Sequence, residues 1–208
     1  MTGFDLLVSY VAFCAIMAGT PGPNNMMMLA SGVRVGWRRS MPLSAGIAVG
    51  MVVLFGATGS GIGAAFEALP LLAVALRVLS AAFLLWLAWK IATAGPFRRE
   101  GDDLEVLGFG TGVTFQWINP KAWAAAMTAA STFLPEEAGA GTIAIGAAII
   151  GLVALCATMA WCLFGTWLSR FLTEPRRAHV FNIAMAVLLL ASTLPILFGR
   201  LGIQDAGG

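Results

Sequence analysis

The segment Thr20-Pro21-Gly22-Pro23-Asn24-Asn25 interrupts the first of several long apolar stretches, and Gln116-Trp117-Ile118-Asn119-Pro120-Lys121 interrupts another about half a chain later. Proline lacks the backbone N–H that a regular helix needs, so each segment should break a helix. Inside a bilayer no water satisfies the freed backbone groups, and such a break survives only where protein or a wet cavity covers it. Two broken spans at matching positions in two halves are typical of a transporter binding site.

The composition is that of an integral membrane protein. Of the 208 residues, 59% are hydrophobic and 11% are charged, with a mean hydropathy of +0.88, whereas a soluble domain carries about 25% charged residues. The net charge of +2 is small and dispersed, which argues against a nucleic-acid partner. Residues 1–9 contain no Lys or Arg and no small-residue cleavage site, so we expect the first span to be retained.

The predicted fold is all-α, with six transmembrane helices. A bilayer core about 30 Å thick takes about 20 apolar residues as a helix, and six stretches meet this length. The predicted spans are residues 4–31, 41–66, 69–92, 108–134, 140–169 and 180–197.

Positive charge alternates between the connections. Nine of the twelve basic residues lie at the ends of the first, third and fifth spans or just after them, whereas the connections around Glu67 and around Glu136 contain neither Lys nor Arg. By the positive-inside rule, the three basic connections face the cytoplasm and both termini lie outside. The tryptophans expected in an aromatic belt at the cytoplasmic boundary are Trp37, Trp86, Trp89 and Trp167.

Each half of the chain opens with a proline-broken span and contains an odd number of spans. The halves therefore enter the membrane in opposite senses, and the sequence predicts two inverted three-helix repeats, residues 1–97 and 108–208, joined by a cytoplasmic linker at 98–107. Gly46 and Gly50 form a GxxxG pattern in the second span. This pattern indicates close helix packing, with a pathway lined by flexible backbone as the alternative.

The two breaks suit a small anion. Pro23 and Pro120 can each open a new helix, and Asn119 can act as the N-cap of the second one. The amides of residues 24–26 should face the first break, and a helix N-terminus carries about half a positive charge. Because the halves are antiparallel, both N-termini should point toward the middle of the bilayer, where they would hold a carboxylate.

Lys121 lies about midway along the fourth span, where an ammonium costs roughly 2.5–3.5 kcal/mol on insertion scales. It should face the interior, either as the countercharge of a substrate carboxylate or paired with a backbone carbonyl. The Asn and Gln side chains at the breaks could bond the substrate, and Trp117 and Trp123 either wall the cavity or only pack. The candidate substrate-binding residues are Pro21, Gly22, Pro23, Asn24, Asn25, Gln116, Asn119, Pro120 and Lys121.

Side chains that would carry other chemistry are scarce. No Asp or Glu lies in the middle of a span, so a dibasic substrate would lack a partner and a neutral amino acid is favoured. Cys14, Cys156 and Cys162 form no CxxC pair, and His179 is the only histidine, so we expect no metal and no cofactor. We interpret all three cysteines as buried small hydrophobes.

At residues 20–25 and 119–121 the sequence resembles the LysE/RhtB family of amino-acid exporters, and the resemblance extends over nearly the whole chain. Residues 85–93, 131–135 and 181–184 resemble the branch that includes cysteine and O-acetylserine exporters. The resemblance implies a six-span permease of the bacterial cytoplasmic membrane that is not an enzyme. Its substrate would be a cysteine- or O-acetylserine-like amino acid, or threonine or homoserine, and protons would drive export. Whether it forms a homo-oligomer stays open.

One departure from the family pattern bears on the substrate. Many relatives carry an acidic residue just after the glycines of the second span, where this chain has Met51. This departure argues against lysine or arginine as the substrate and removes the simplest proton carrier.

Other classes of membrane protein compete with an exporter. The wider superfamily includes thiol-disulfide electron carriers, whose cysteines lie beside prolines, but no cysteine lies beside Pro21, Pro23 or Pro120. A membrane protease is disfavoured because no HExxH motif is present. A passive channel stays open as an alternative, since only a carrier exchanges labelled for unlabelled substrate across an equilibrated membrane.

Overall fold

The computed structural model describes residues 3–62, 70–93, 107–172 and 174–198. Within these residues the chain is helical apart from short turns, and the all-α prediction is confirmed. The α-helices are α1 (Gly3–Gly19), α2 (Pro23–Ala57), α3 (Pro70–Ala92), α4 (Phe109–Ile118), α5 (Pro120–Phe133), α6 (Ala140–Leu168) and α7 (Pro175–Phe198). A π-helical turn (Thr58–Ile62) extends α2, and a 3-10 turn (Ser169–Phe171) extends α6.

At each proline-containing segment one helix ends and another begins. α1 ends at Gly19, the chain passes through an extended Gly22, and α2 begins at Pro23. α4 ends at Ile118, and α5 begins at Pro120. Proline suits the first position of a helix because the N–H that it lacks would have no helical partner there.

The predicted basic connection between the first and second spans, residues 32–40, is a bend in α2. The backbone there is helical except at Gly36, where φ is 77° and ψ is 167°. Glycine adopts this positive φ without a steric penalty, so one residue redirects the chain. The hydroxyls of Ser31 and Ser40 lie 2.7 Å apart, although nine residues of straight helix would rise about 13.5 Å. We call the parts of α2 before and after Gly36 its first and second arms.

Glycines let both arms of α2 pack against neighbouring helices with their backbones in close contact. The first arm crosses α6, where a Cβ on Gly32 or on Gly165 would collide with the backbone of the other helix. The second arm crosses α4 in the same reciprocal way through Gly46 and Gly112, and a Cβ on Gly50 would also collide with α4. The packing interpretation of Gly46 and Gly50 is confirmed. α1 packs on α6, and α3 packs on α7 around this centre.

Most other predicted spans agree with the helices to within about two residues. The exception is the sixth, because α7 begins at Pro175 and not at residue 180. The proline suits the first helical position, and Arg177 pairs with Glu174 at 3.0 Å in the first turn. The predicted end of the second span at residue 66, the predicted start of the third at residue 69 and all but the last residue of the predicted linker at 98–107 lie outside the described residues.

The outside of the helical assembly is apolar. Phe4, Leu71 and Trp89 are among its large side chains and are 73%, 80% and 64% exposed, a surface that soluble proteins avoid. Pro23–Ile62 and Ala140–Phe171 are long and apolar enough to cross a membrane. α1, α4 and α5 have 17, 10 and 14 residues, fewer than the ~20 that a span needs. None of these three helices is long enough to cross a membrane alone, so each would need the helix on the other side of its break to complete the span.

We predict that Gly112→Ala destabilises the protein and that Gly110→Ala does not. A Cβ on Gly112 would lie 2.5 Å from the carbonyl oxygen of Leu43 and 2.6 Å from the nitrogen of Ile47, and backbone atoms cannot move aside easily. A Cβ on Gly110 would have nothing within 4 Å. Overpacking costs about 1–3 kcal/mol, so only Gly112→Ala should lower the unfolding midpoint in detergent. Equal midpoints would contradict the crossing of α2 and α4.

Candidate functional site

A cavity lies between the two breaks, where the end of α1 meets the beginnings of α2 and α5. Its empty volume is about 540 Å³, which includes open space at its mouth. The predicted site residues that line the cavity are Gly22, Pro23, Asn24, Asn25, Asn119 and Lys121. The other three, Pro21, Gln116 and Pro120, do not line it, although Gln116 and the Pro21 carbonyl bond to residues that do.

The C-terminal end of α1 is bound by two side chains. Nζ of Lys121 donates to the carbonyl oxygen of Thr20 at 2.9 Å, to the Thr20 hydroxyl at 2.8 Å and to the carbonyl oxygen of Pro21 at 3.3 Å. Nδ2 of Asn25 donates to the carbonyl oxygens of Ala18 and Thr20 at 2.7 and 2.8 Å. A helix C-terminus carries partial negative charge, which favours a cation there. Lys121 is thus paired with backbone carbonyls, one of the two roles that the sequence left open.

A second link joins the breaks through two side-chain amides. Nδ2 of Asn24 donates to Oε1 of Gln116 at 2.9 Å, and Nε2 of Gln116 donates to Oδ1 of Asn24 at 3.1 Å. Nε2 of Gln116 also donates to the carbonyl oxygen of Gly112 at 3.0 Å. Gln116 is fully buried. Because buried amides need partners, this pair fixes the first break against α4.

The helix N-termini at the breaks already use several of their amides. Oδ1 of Asn119 accepts the Lys121 N–H at 3.1 Å, and its carbonyl accepts the N–H groups of residues 122 and 123 at 3.0 and 3.2 Å. The N-cap prediction for Asn119 is confirmed. The expectation that the Met26 amide faces the break is wrong, since it donates to Gly22 at 2.9 Å as the first helical bond of α2.

The remaining cavity wall is largely apolar and was not predicted. It includes Phe13, Cys14 and Met17 of α1, Met51 of the second arm and Ile150 of α6. These residues lie in almost uniformly apolar stretches of helix, in which no periodicity separates the cavity face from the lipid face. The sequence therefore contains little signal that could have found them.

Thr158 adds a hydroxyl to this wall from α6. Its Oγ1 lies 2.7 Å from the hydroxyl of Ser44 in the second arm and donates to the Ala154 carbonyl at 2.7 Å. Bonding to the carbonyl four residues earlier is usual for a threonine inside a helix. The hydroxyl pair ties the cavity wall to the centre of the assembly.

Trp117 and Trp123 do not line the cavity. Their ring centroids lie 5.9 Å apart in an edge-to-face arrangement, and Nε1 of Trp123 donates to the Trp117 carbonyl at 2.9 Å. Edge-to-face pairs are a favourable packing geometry. Of the two roles that the sequence left open for these tryptophans, both have the packing role in this structure.

The burial predicted for the three cysteines holds for Cys14 and Cys162 and is wrong for Cys156, which is exposed. Cys156 lies on α6 in a stretch as apolar as the one that holds Cys162. A thiol on the lipid-facing side of a span is as apolar as one in the core, so the sequence does not separate the two environments.

Interrupted helices whose ends surround a cavity inside an apolar helical assembly are typical of a membrane transport protein. The family model described as LysE type translocator matches residues 15–198. The chain belongs to this family, which confirms the resemblance seen at the two breaks. It is a transporter and not an enzyme.

Individual relatives agree with this membership. The chain is 29% identical over 197 residues to the cysteine/O-acetylserine efflux protein of Escherichia coli (strain K12) and to that of Shigella flexneri serotype 5b (strain 8401). Each alignment covers 93% of this chain and 98% of the relative. No solved structure matches the chain significantly.

We predict that Asn24 and Gln116 are coupled in stability. Asn24→Ala and Gln116→Ala should each lower the free energy of unfolding, and the double variant should lose less than the sum, by about 0.5–3 kcal/mol. As a control, Asn24→Ala combined with Ser60→Ala should be additive, because among the described residues the Ser60 hydroxyl donates to the carbonyl of Gly56, four residues earlier in the chain. Unfolding in detergent measures all of these values. Additivity of the Asn24 and Gln116 changes would contradict a reciprocal amide pair.

Proposed function

We propose that this protein exports a small neutral amino acid or derivative across the bacterial cytoplasmic membrane. The substrate would be of the cysteine and O-acetylserine type, or of the threonine and homoserine type. The observation that carries the proposal is the cavity between the two broken helices, whose wall holds Asn24, Asn25, Asn119 and Lys121. The names of the efflux relatives support the first substrate type.

In this proposal the substrate carboxylate lies between the N-terminal ends of α2 and α5. The amides of Asn24 and Asn25 precede the first helical bond of α2, and the helix dipoles add partial positive charge. Lys121, which lines the same cavity, supplies the full countercharge. A carboxylate held this way exchanges its hydrating water molecules for N–H donors. Hydrogen bonds from such donors to an ionised acceptor are stronger than those between neutral groups.

The cavity wall supports a neutral side chain on the substrate. Phe13, Met17 and Met51 are among its apolar residues, and no Asp or Glu is among the described residues that line it. A second ammonium would therefore enter without a charged partner, at a high desolvation cost. Small uncharged side chains such as a thiol or an acetyl ester meet no such penalty.

We propose further that the chain crosses the membrane six times as two inverted repeats, residues 1–97 and 108–208, with both termini outside. The helix contacts support this because they occur in exchangeable pairs. α1 packs on α6 as α4 packs on the second arm of α2, and α3 packs on α7. Trp37, Trp86, Trp89 and Trp167 are all exposed, which suits an aromatic belt.

The proton gradient is the driving force in this proposal, as the family resemblance implies. Met51 lines the cavity at the place where the resemblance led us to expect an acidic residue. A proton carrier must therefore be sought outside that position, and uptake of protons during efflux from loaded vesicles measures the coupling directly.

We predict that Lys121→Ala reduces efflux more than tenfold while the protein still inserts, because the carboxylate loses its countercharge. Lys90→Ala is the matched control, since the other lysine of the chain lies over the Trp86 ring, 5.0 Å from its centroid. Efflux of cysteine, O-acetylserine, threonine, homoserine and lysine from overexpressing cells gives the measurement. Wild-type flux in correctly inserted Lys121→Ala protein would refute the assignment. Counterflow in proteoliposomes separates a carrier from a channel.

A further inference from the structure

The C-terminal end of α1 carries a complete set of acceptors for one ammonium group. An ammonium has three N–H donors and no acceptor, and Nζ of Lys121 meets three oxygens there, two from Thr20 and one from Pro21, at 2.8–3.3 Å. The donor and the acceptors lie 100 or 101 residues apart in sequence. The site is therefore built by one broken helix and filled by a side chain of the other.

A zwitterionic substrate brings an ammonium that also needs partners in the membrane. No acidic side chain is among the described residues that line the cavity, and an unpaired ammonium in an apolar surrounding is costly. Backbone carbonyls and half-helix C-termini are the groups that bind cations in broken-helix transporters. The end of α1 offers such carbonyls at hydrogen-bond distance from Lys121, which lines the cavity.

Gly22 leaves room for an ammonium group at this position. A Cβ on Gly22 would lie 2.9 Å from both Nζ and Cδ of Lys121, so any larger residue would crowd the group that occupies the site. Gly22 and Lys121 both line the cavity. The oxygens of Thr20 and Pro21 do not themselves line the cavity, but they lie within 3.3 Å of Nζ of Lys121, so an ammonium that displaces Nζ would meet the same oxygens.

We propose that the α-ammonium of the exported amino acid replaces the Lys121 ammonium at the oxygens of Thr20 and Pro21. This inference rests on the proposed function and adds a binding position for the substrate ammonium to the site proposed for its carboxylate. One primary ammonium takes the place of another, so the charge at the end of α1 stays the same. The released Lys121 turns to the substrate carboxylate. The ligand class is an amino acid with a primary ammonium, to the exclusion of quaternary and N-acylated forms.

Lys121→Ala protein gives the first test, because it leaves the three oxygens without their lysine. Methylammonium chloride should raise the thermal midpoint of this purified variant by about 2–4 °C. Tetramethylammonium chloride, which has the charge but no N–H, should not. Wild-type and Lys90→Ala proteins should respond less to methylammonium, because Lys121 competes for the same oxygens, and Thr20→Val in the Lys121→Ala background should remove most of the shift. Equal effects of the two salts on Lys121→Ala, or a methylammonium shift that is larger in wild-type protein than in Lys121→Ala, would overturn the proposal.

Transport by the wild-type protein gives a second test that needs no variant to fold. O-acetylserine and its N,N,N-trimethyl derivative should differ at least tenfold as competitors of efflux, since a trimethylated nitrogen has no N–H to donate. Equal competition would refute the ammonium site. If wild-type protein transports no amino acid, the proposed function fails, whereas the methylammonium result still decides whether α1 ends in an ammonium site.

Discussion

Backbone carbonyls exposed by a broken helix inside an apolar assembly must find donors, and this requirement shapes the centre of the protein. The break after α1 leaves the carbonyls of Ala18, Thr20 and Pro21 without helical partners, and Asn25 and Lys121 supply the donors. Lys121 comes from the other broken helix. The same contacts that satisfy the backbone therefore bind the two breaks together and leave a cavity between them.

Close helix crossings at glycine residues allow the two breaks to approach each other. Gly32 and Gly165 bring the first arm of α2 onto α6, and Gly46 and Gly112 bring the second arm onto α4. At each crossing the two backbones are in close contact, so the structure cannot accommodate a larger side chain there without strain. A rigid centre of this kind suits a carrier in which the partners of Lys121 exchange while the helices around them keep their packing.

Features that depend on neighbouring residues in the chain were predicted more successfully than features that depend on tertiary contacts. Pro23, Pro120 and the Asn119 cap were predictable because proline and asparagine act on their own turn of helix. The connection between the first and second spans was predicted, but its form was not, since a helix can continue on both sides of one positive-φ glycine, here Gly36. The cavity faces of α1 and α6 and the exposure of Cys156 were missed for a different reason, because core and lipid favour the same side chains. The partners of Lys121 and Gln116 depend on tertiary contacts that no local pattern encodes.

Protection of the cavity by substrate tests the central claim most directly. In a variant without native cysteines, a single cysteine at Ala125, which lines the cavity, would be labelled with a maleimide. O-acetylserine, which has no thiol, should slow this labelling while leaving Thr93→Cys at the end of α3 unaffected. Unchanged labelling at Ala125→Cys under conditions where O-acetylserine is exported would contradict a substrate site between the two breaks.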